Sequence, residues 1–250
     1  MNEVDEMQAI GIDVGGSGCR LAVVDAVTGV IRGEVVRLDH DLDTPTQEIL
    51  EALRRALDGF PPLPVGLGFP GRVDGTTVRA APNLRSTWPG TDMAEALDRP
   101  DLVLLNDADA AAVAEQRLGA AAGEDGTVLV ITVGTGLGSG VHHAGRLVPG
   151  FELGLLPHPT RGGVLETHAS GRARTLEALD LPMWSNRFNE ALAVMEQAVD
   201  ASLIVVGGGL TEHWDTFSPL LKASAPLRKA TFGAHAGLIG AALAAVDLSA

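Results

Sequence analysis

Two stretches of the chain join an apolar strand to a glycine-rich turn and a second strand. The first runs Ala9-Ile10-Gly11-Ile12-Asp13-Val14, turns at Gly15-Gly16-Ser17-Gly18 and continues through Cys19-Arg20-Leu21. The second runs from Val128 to Val133, turns at Gly134-Thr135-Gly136-Leu137-Gly138 and continues through Ser139-Gly140-Val141. Glycines at a tight turn let backbone N–H groups converge on an anion without interference from a Cβ. One such turn could be a plain hairpin. Two, roughly 120 residues apart, point to related domains facing each other across a phosphate-bearing ligand, and so to phosphoryl transfer. Aligning the turns sets Asp13 opposite Thr132, so only the first offers a carboxylate suited to Mg²⁺ beside phosphates. Arg20 either neutralises phosphate charge or is a solvated strand residue. A strand, not a helix, follows the glycines, which excludes a dinucleotide fingerprint.

Asn106-Asp107 falls where a buried strand gives way to a helix, the place at which open α/β sheets gather ligands. A carboxylate there can take the proton of an attacking hydroxyl, while the amide holds a neighbouring one. Helix capping by Asn106 or Asp109 is the competing reading; beside two phosphate turns, catalysis is preferred. Gly207-Gly208-Gly209 ends another strand and permits close approach of a flat ring or a phosphate, although glycine clusters also mark ordinary turns. His142 and His143 alternate to opposite faces, and His158 and His168 lack partners at ligand spacing, so no histidine metal site is expected. Arg161, Arg172 and Arg174 read as a solvated face.

Composition narrows the classes. The 250 residues carry a formal charge of −14 with 18 basic side chains, which argues against a general nucleic-acid or anionic-membrane surface. Hydrophobic residues make up 46% and charged residues 20%, the balance of a globular domain. The single cysteine, Cys19, excludes an internal disulfide and a cysteine-cluster zinc site, and reads as a buried, inert thiol. The acidic start lacks a signal-peptide pattern, and apolar runs are broken by glycine before reaching membrane-spanning length. The expected location is the cytoplasm.

These residues need elements to position them. Strands are expected over Val30–Leu38, Val65–Phe69, Leu102–Leu105 and Leu203–Val206, with a hairpin around Asp74-Gly75. Helices are expected from Thr44 to Leu57, from Asn106-Asp107 to Leu118, over Leu165–Leu179 and Pro182–Ala198, and over Ala236–Val246. Residues 1–120 form the expected first lobe and 121–250 the second, with the last helix packing back toward the first. That is a duplicated α/β architecture with mixed sheets.

Taken together and in order, these motifs resemble the ROK family of sugar kinases within the actin-like ATPase superfamily, and there the polyphosphate glucokinases of actinobacterial type. The resemblance runs from Gly11-Ile12-Asp13-Val14-Gly15-Gly16-Ser17-Gly18 through Phe69-Pro70-Gly71, Asn106-Asp107-Ala108-Asp109, Gly134-Thr135-Gly136-Leu137-Gly138-Ser139 and Val205-Val206-Gly207-Gly208-Gly209 to Ala236-Gly237-Leu238-Ile239-Gly240. It implies ribonuclease H-like lobes with a sugar in the cleft, and Asp107 as general base for the 6-hydroxyl of glucose or a related hexose. It further implies Asn83, Asn106, Glu152 and Gly71 at the sugar. Gly15, Gly16, Ser17, Gly18, Arg20, Gly134, Thr135, Gly136, Gly138 and Gly207 to Gly209 would hold the phosphates or nucleotide of ATP or polyphosphate. Asp13 would lie near Mg²⁺, zinc would be absent, and the enzyme would be a homodimer without nucleic-acid or membrane partners.

One loop departs from the family. Its Glu-x-Gly-His followed by Leu-Glu corresponds here to Glu152-Leu153-Gly154-Leu155-Leu156-Pro157, with Leu155 for the histidine and Pro157 for the second glutamate. The family's lysine after the first turn is Arg20 here. The rival expectation is a non-catalytic or altered-specificity homologue that binds a sugar or nucleotide as a sensor.

Overall fold

The structure is a computed structural model that describes residues 7–82, 84 and 87–247. The chain divides into two compact units, Met1–Ala114 with His235–Ala250, and Glu115–Ala234.

In the first unit, the apolar alternation after Gln8 makes β1 (Gln8–Gly15), which turns into β2 (Gly18–Asp25) and then β3 (Ile31–Asp39). Next come α1 (Thr46–Leu57), β4 (Val65–Phe69), the hairpin β5 (Arg72–Asp74) and β6 (Thr77–Ala80), α2 (Met93–Leu97), β7 (Val103–Asn106) and α3 (Asp107–Arg117). The sheet order is β3-β2-β1-β4-β7, with β1–β2–β3 antiparallel and β1–β4–β7 parallel. Period-two alternation splits β1 between two environments. Ile10, Ile12 and Val14 join Leu50, Leu53 and Leu57 of α1 in one apolar cluster. Gly11 and Asp13 face the closing helix, α8 (Ala236–Asp247), instead. The glycines of β1 and β4 are what admit that helix. A Cβ on Gly11 would lie 2.0 Å from the Leu238 carbonyl oxygen, and one on Gly66 would lie 1.8 Å from that of Ala241.

The second unit repeats the plan with β8 (Thr127–Val133), β9 (Leu137–His143), β10 (Arg146–Val148), β11 (Leu203–Gly207) and β12 (Leu227–Lys229) in the order β10-β9-β8-β11-β12. Its helices are α4 (Leu165–Ala169), α5 (Gly171–Leu176), α6 (Leu181–Ala198) and α7 (Trp214–Phe217). Leu129, Ile131 and Val133 of β8 share an apolar cluster with Trp184, Phe188, Leu192 and Met195 of α6. Those α6 positions follow the 3.6-residue period of one buried helical stripe.

Where one helix is expected over Leu165–Leu179, the structure has two. Ser170 leaves helical geometry at φ −72°, ψ 164° and its side chain accepts the Ala173 N–H, so it caps α5 while ending α4. The break lets the Gly171 N–H reach the Gly134 carbonyl at 2.9 Å. Local helical periodicity could not register that contact.

Candidate active site

Asp13 lies near the C-terminal end of β1, paired in register with Arg20 of β2 on one side and Gly68 of β4 on the other. Cross-strand partners project to the same face, and the Arg20 guanidinium donates to Asp13 Oδ2 at 2.7 Å. Burial pushes the Asp13 carboxyl above the ordinary carboxylate range, and the Arg20 charge and hydrogen bond pull it back. Burial, and then the Asp13 charge, push the neighbouring Cys19 thiol up to about 12, so it stays protonated and unreactive.

The first turn of α8 lies against this carboxylate. A Cβ on Gly237 would meet Asp13 Oδ1 at 3.1 Å and the Asp107 carbonyl at 3.8 Å, and one on Gly68 would meet Asp107 Cα at 3.7 Å. Asp13, Gly68, Asp107 and Gly237 therefore converge where β1 and β4 end and where α3 and α8 begin. Asp107 opens α3, where a negative charge interacts favourably with the helix N-terminus.

Asn106 does capping work. Its amide oxygen accepts the N–H groups of Ala108 at 2.8 Å and Asp109 at 3.2 Å, and its amide nitrogen donates to the Gly71 carbonyl at 3.1 Å. The side chain thus fastens the Gly71 loop to the start of α3, beside Asp107. Asn83, with Arg85 and Ser86, lies outside the described residues.

Gly16 and Ser17 form the exposed tip of the first turn, Gly15 packs 3.2 Å from the Gly18 carbonyl as judged by its Cβ direction, and Gly18 faces the Leu38 carbonyl of β3 at 2.8 Å. In the second turn, Gly134 and Thr135 are exposed, no atom lies within 4 Å of a Cβ on Gly134, and Gly136 and Gly138 are half-buried. Gly207 to Gly209 divide by role. Gly208, at φ 87°, would set a Cβ 2.3 Å from the Val133 carbonyl, so chain packing demands it, whereas Gly209 faces open space.

The loop after β10 is built onto β9. Ser139 donates to the Phe151 carbonyl at 2.6 Å and accepts the Leu153 N–H at 2.9 Å, on either side of Glu152. Leu155 is 42% exposed. His158 turns inward: its Nδ1 accepts the N–H groups of Thr160 and Arg161, and its Nε2 lies 3.1 Å from Glu190, which also pairs with Arg161. It staples its own loop, and Arg161 is ion-paired, not merely solvated.

Sequence reasoning missed Glu166. A Leu-Glu pair stands at Leu165-Glu166, in the first turn of α4, where Glu166 accepts the Leu137 N–H at 3.0 Å. The available signal was that dipeptide after Gly162-Gly163. Of the two adjacent histidines, His142 is buried and its burial pushes it down to about 4, while His143 is exposed.

Among the described residues, no three His, Cys, Asp or Glu side chains are grouped to hold a metal. A single carboxylate nonetheless fits a divalent cation that keeps its waters and takes further ligands from phosphates. Asp13 offers this, with Oδ2 on Arg20 and Oδ1 toward the Gly237 cradle.

The ROK family model matches residues 9–175. The polyphosphate glucokinase of Mycobacterium tuberculosis is 33% identical over 246 residues, covering 96% of this chain and 92% of the relative. The inorganic polyphosphate/ATP-glucomannokinase from Arthrobacter sp. strain KM superposes with a TM-score of 0.88 at 35% identity, covering 96% of this chain and 99% of its own. The ROK glucokinase from Streptomyces griseus, solved with glucose and AMPPNP, gives 0.77 at 26% identity, with 96% and 99% covered. The mixed-sheet α/β fold is that of these kinases. The chain therefore belongs to the ROK family, as a sugar kinase whose phosphoryl acceptor is a hydroxyl group.

Proposed function

We propose that this chain transfers the terminal phosphoryl group of polyphosphate or ATP to the 6-hydroxyl of glucose or a related hexose, with Asp107 as general base. The observation that carries this reading is the convergence of the Asp107 backbone and the Asp13 carboxylate around Gly237, at the ends of parallel strands. Asp107 accepts the hydroxyl proton as the oxygen attacks in line, and the donor's leaving oxygen departs from the opposite side. Asn106 does not have to grip the sugar for this; by capping α3 and holding Gly71 it keeps Asp107 and the Gly71 backbone in place. Glu152 and Glu166 are the carboxylates of the second unit suited to sugar hydroxyls.

In each unit the exposed turn residues, Gly16-Ser17 in the first and Thr135 in the second, suit a donor's phosphates. Mg²⁺ is the proposed cation; when bound, it would neutralise charge on the transferring group. Asp13 would hold it, and Arg20, donating to Oδ2, partly offsets the burial that raises this carboxyl. A homodimer and a cytoplasmic location belong to the same reading, supported by the family. No helix among the described residues is long and apolar enough to cross a membrane.

The test is Asp107→Asn, assayed with polyphosphate and with ATP across a hexose panel. Turnover should fall by about 10²–10⁴-fold, while glucose still raises the melting temperature. A variant that turns over at the wild-type rate would remove Asp107 from the mechanism.

A further inference from the structure

The strand that leaves the second glycine turn also carries the loop that bears Glu152. Three attachments lie within Leu137–Ser139. The Leu137 N–H donates to Glu166 at 3.0 Å. The Leu137 carbonyl receives Gly154 so closely that a Cβ there would sit 2.0 Å from its oxygen. The Ser139 hydroxyl bridges the Phe151 carbonyl and the Leu153 N–H, at 2.6 and 2.9 Å. Ser139 is 2% exposed and held in the β8–β9 ladder opposite Ile131. Its hydroxyl uses its one proton on Phe151 and accepts from Leu153, so both sides of Glu152 are fixed to one atom.

We propose that Ser139 is a positioning residue: its hydroxyl sets the Glu152 backbone against β9, so that the sugar loop and the second phosphate turn shift as one body. The inference rests on the reading of Glu152 as a sugar ligand. Through Leu137, Glu166 belongs to the same body.

The experiment compares wild type, Ser139→Ala and Gly154→Ala, the second lifting the loop from β9 without touching the hydroxyl. In both variants the glucose KM and the calorimetric Kd for glucose should rise about tenfold with the KM for ATP within twofold, and the melting temperature should fall, further in Gly154→Ala, whose methyl would sit 2.0 Å from the Leu137 carbonyl oxygen. Amide exchange at Leu153 should accelerate in Ser139→Ala with or without glucose. An unchanged glucose Kd in a folded Ser139→Ala protein would overturn the proposal, as would parallel losses for glucose and ATP that track a lowered melting temperature. Should the wild type phosphorylate no hexose, the kinase reading fails by itself. Leu153 exchange then still judges the clamp, and unaltered exchange in Ser139→Ala would overturn it.

Discussion

The sheets β3-β2-β1-β4-β7 and β10-β9-β8-β11-β12 are one topology built twice, yet they are completed by different means. In the first unit a helix reaches backbone contact with the sheet. Gly11 and Gly66 take the α8 carbonyls of Leu238 and Ala241, and Gly240 of α8 takes the Ala110 carbonyl of α3 at 1.6 Å from its Cβ direction. In the second unit, β8 and β11 are filled with Val, Leu and Ile, and order comes from polar clasps. Glu115, 1% exposed, accepts the N–H groups of Ala120, Thr231 and Phe232, each at 2.9 Å. Close backbone packing tolerates no added atom, whereas a hydrogen-bonded clasp tolerates volume but not the loss of its acceptor.

The glycine turns differ in parallel. The first is electrostatic, with Asp13 and Arg20 facing each other two register steps before the Gly15–Gly18 pair. The second carries no charge of its own and borrows one, the Glu166 carboxylate on Leu137. The first turn thus has a carboxylate of its own, and the second is braced by Glu166 of α4.

The sharpest way to break this contrast is Gly66→Ala, whose methyl has nowhere to go beside Ala241. A loss of roughly 3 kcal/mol is expected in urea unfolding, and wild-type stability would show that α8 does not lie at backbone distance. Glu115→Ala should cost about 2 kcal/mol by leaving buried N–H groups without an acceptor. Glu115→Gln, which keeps an acceptor oxygen, should recover part of that loss; equal losses in the two variants would mean that packing, not hydrogen bonding, holds this region.

The smallest effect concerns Asp25, at the end of β2. The Arg32 hydrogen bond at 2.6 Å, helped by the Thr28 and Val27 N–H groups, holds its carboxyl down to about 2. Because the folded state holds the proton less tightly than the unfolded chain, this contribution is complete above about pH 4 and is lost as pH falls toward 2. Arg32→Gln should therefore cost at most about 1 kcal/mol at neutral pH and flatten the acid limb between those values. An identical acid limb in both proteins would remove the Arg32 pair as its cause.

Much of the candidate site was legible because it is local. The Asp13 to Arg20 pairing follows from a hairpin that turns at Gly16-Ser17, and the strand-to-helix switch at Asn106-Asp107 follows from adjacent residues. Asn106 illustrates the limit of that reading. Its type suited both a cap and a sugar ligand, and only the Ala108, Asp109 and Gly71 contacts show where its amide atoms are spent. His158 was similarly ambiguous until its ring was seen facing Glu190.

By itself the sequence determined the two strand–turn–strand repeats, the lone carboxylate on the first of them, the Asp107 carboxylate at the head of α3 and the family. Each depends on residue type and short spacing, which set backbone conformation and helix starts directly. The tertiary structure alone decided that Gly11, Gly66 and Gly240 exist to admit helix backbones, that Glu166 braces the second turn, and that Ser139 holds both flanks of Glu152. Those contacts join residues far apart in the chain at distances of a few ångströms, and no local pattern of polarity or periodicity encodes them.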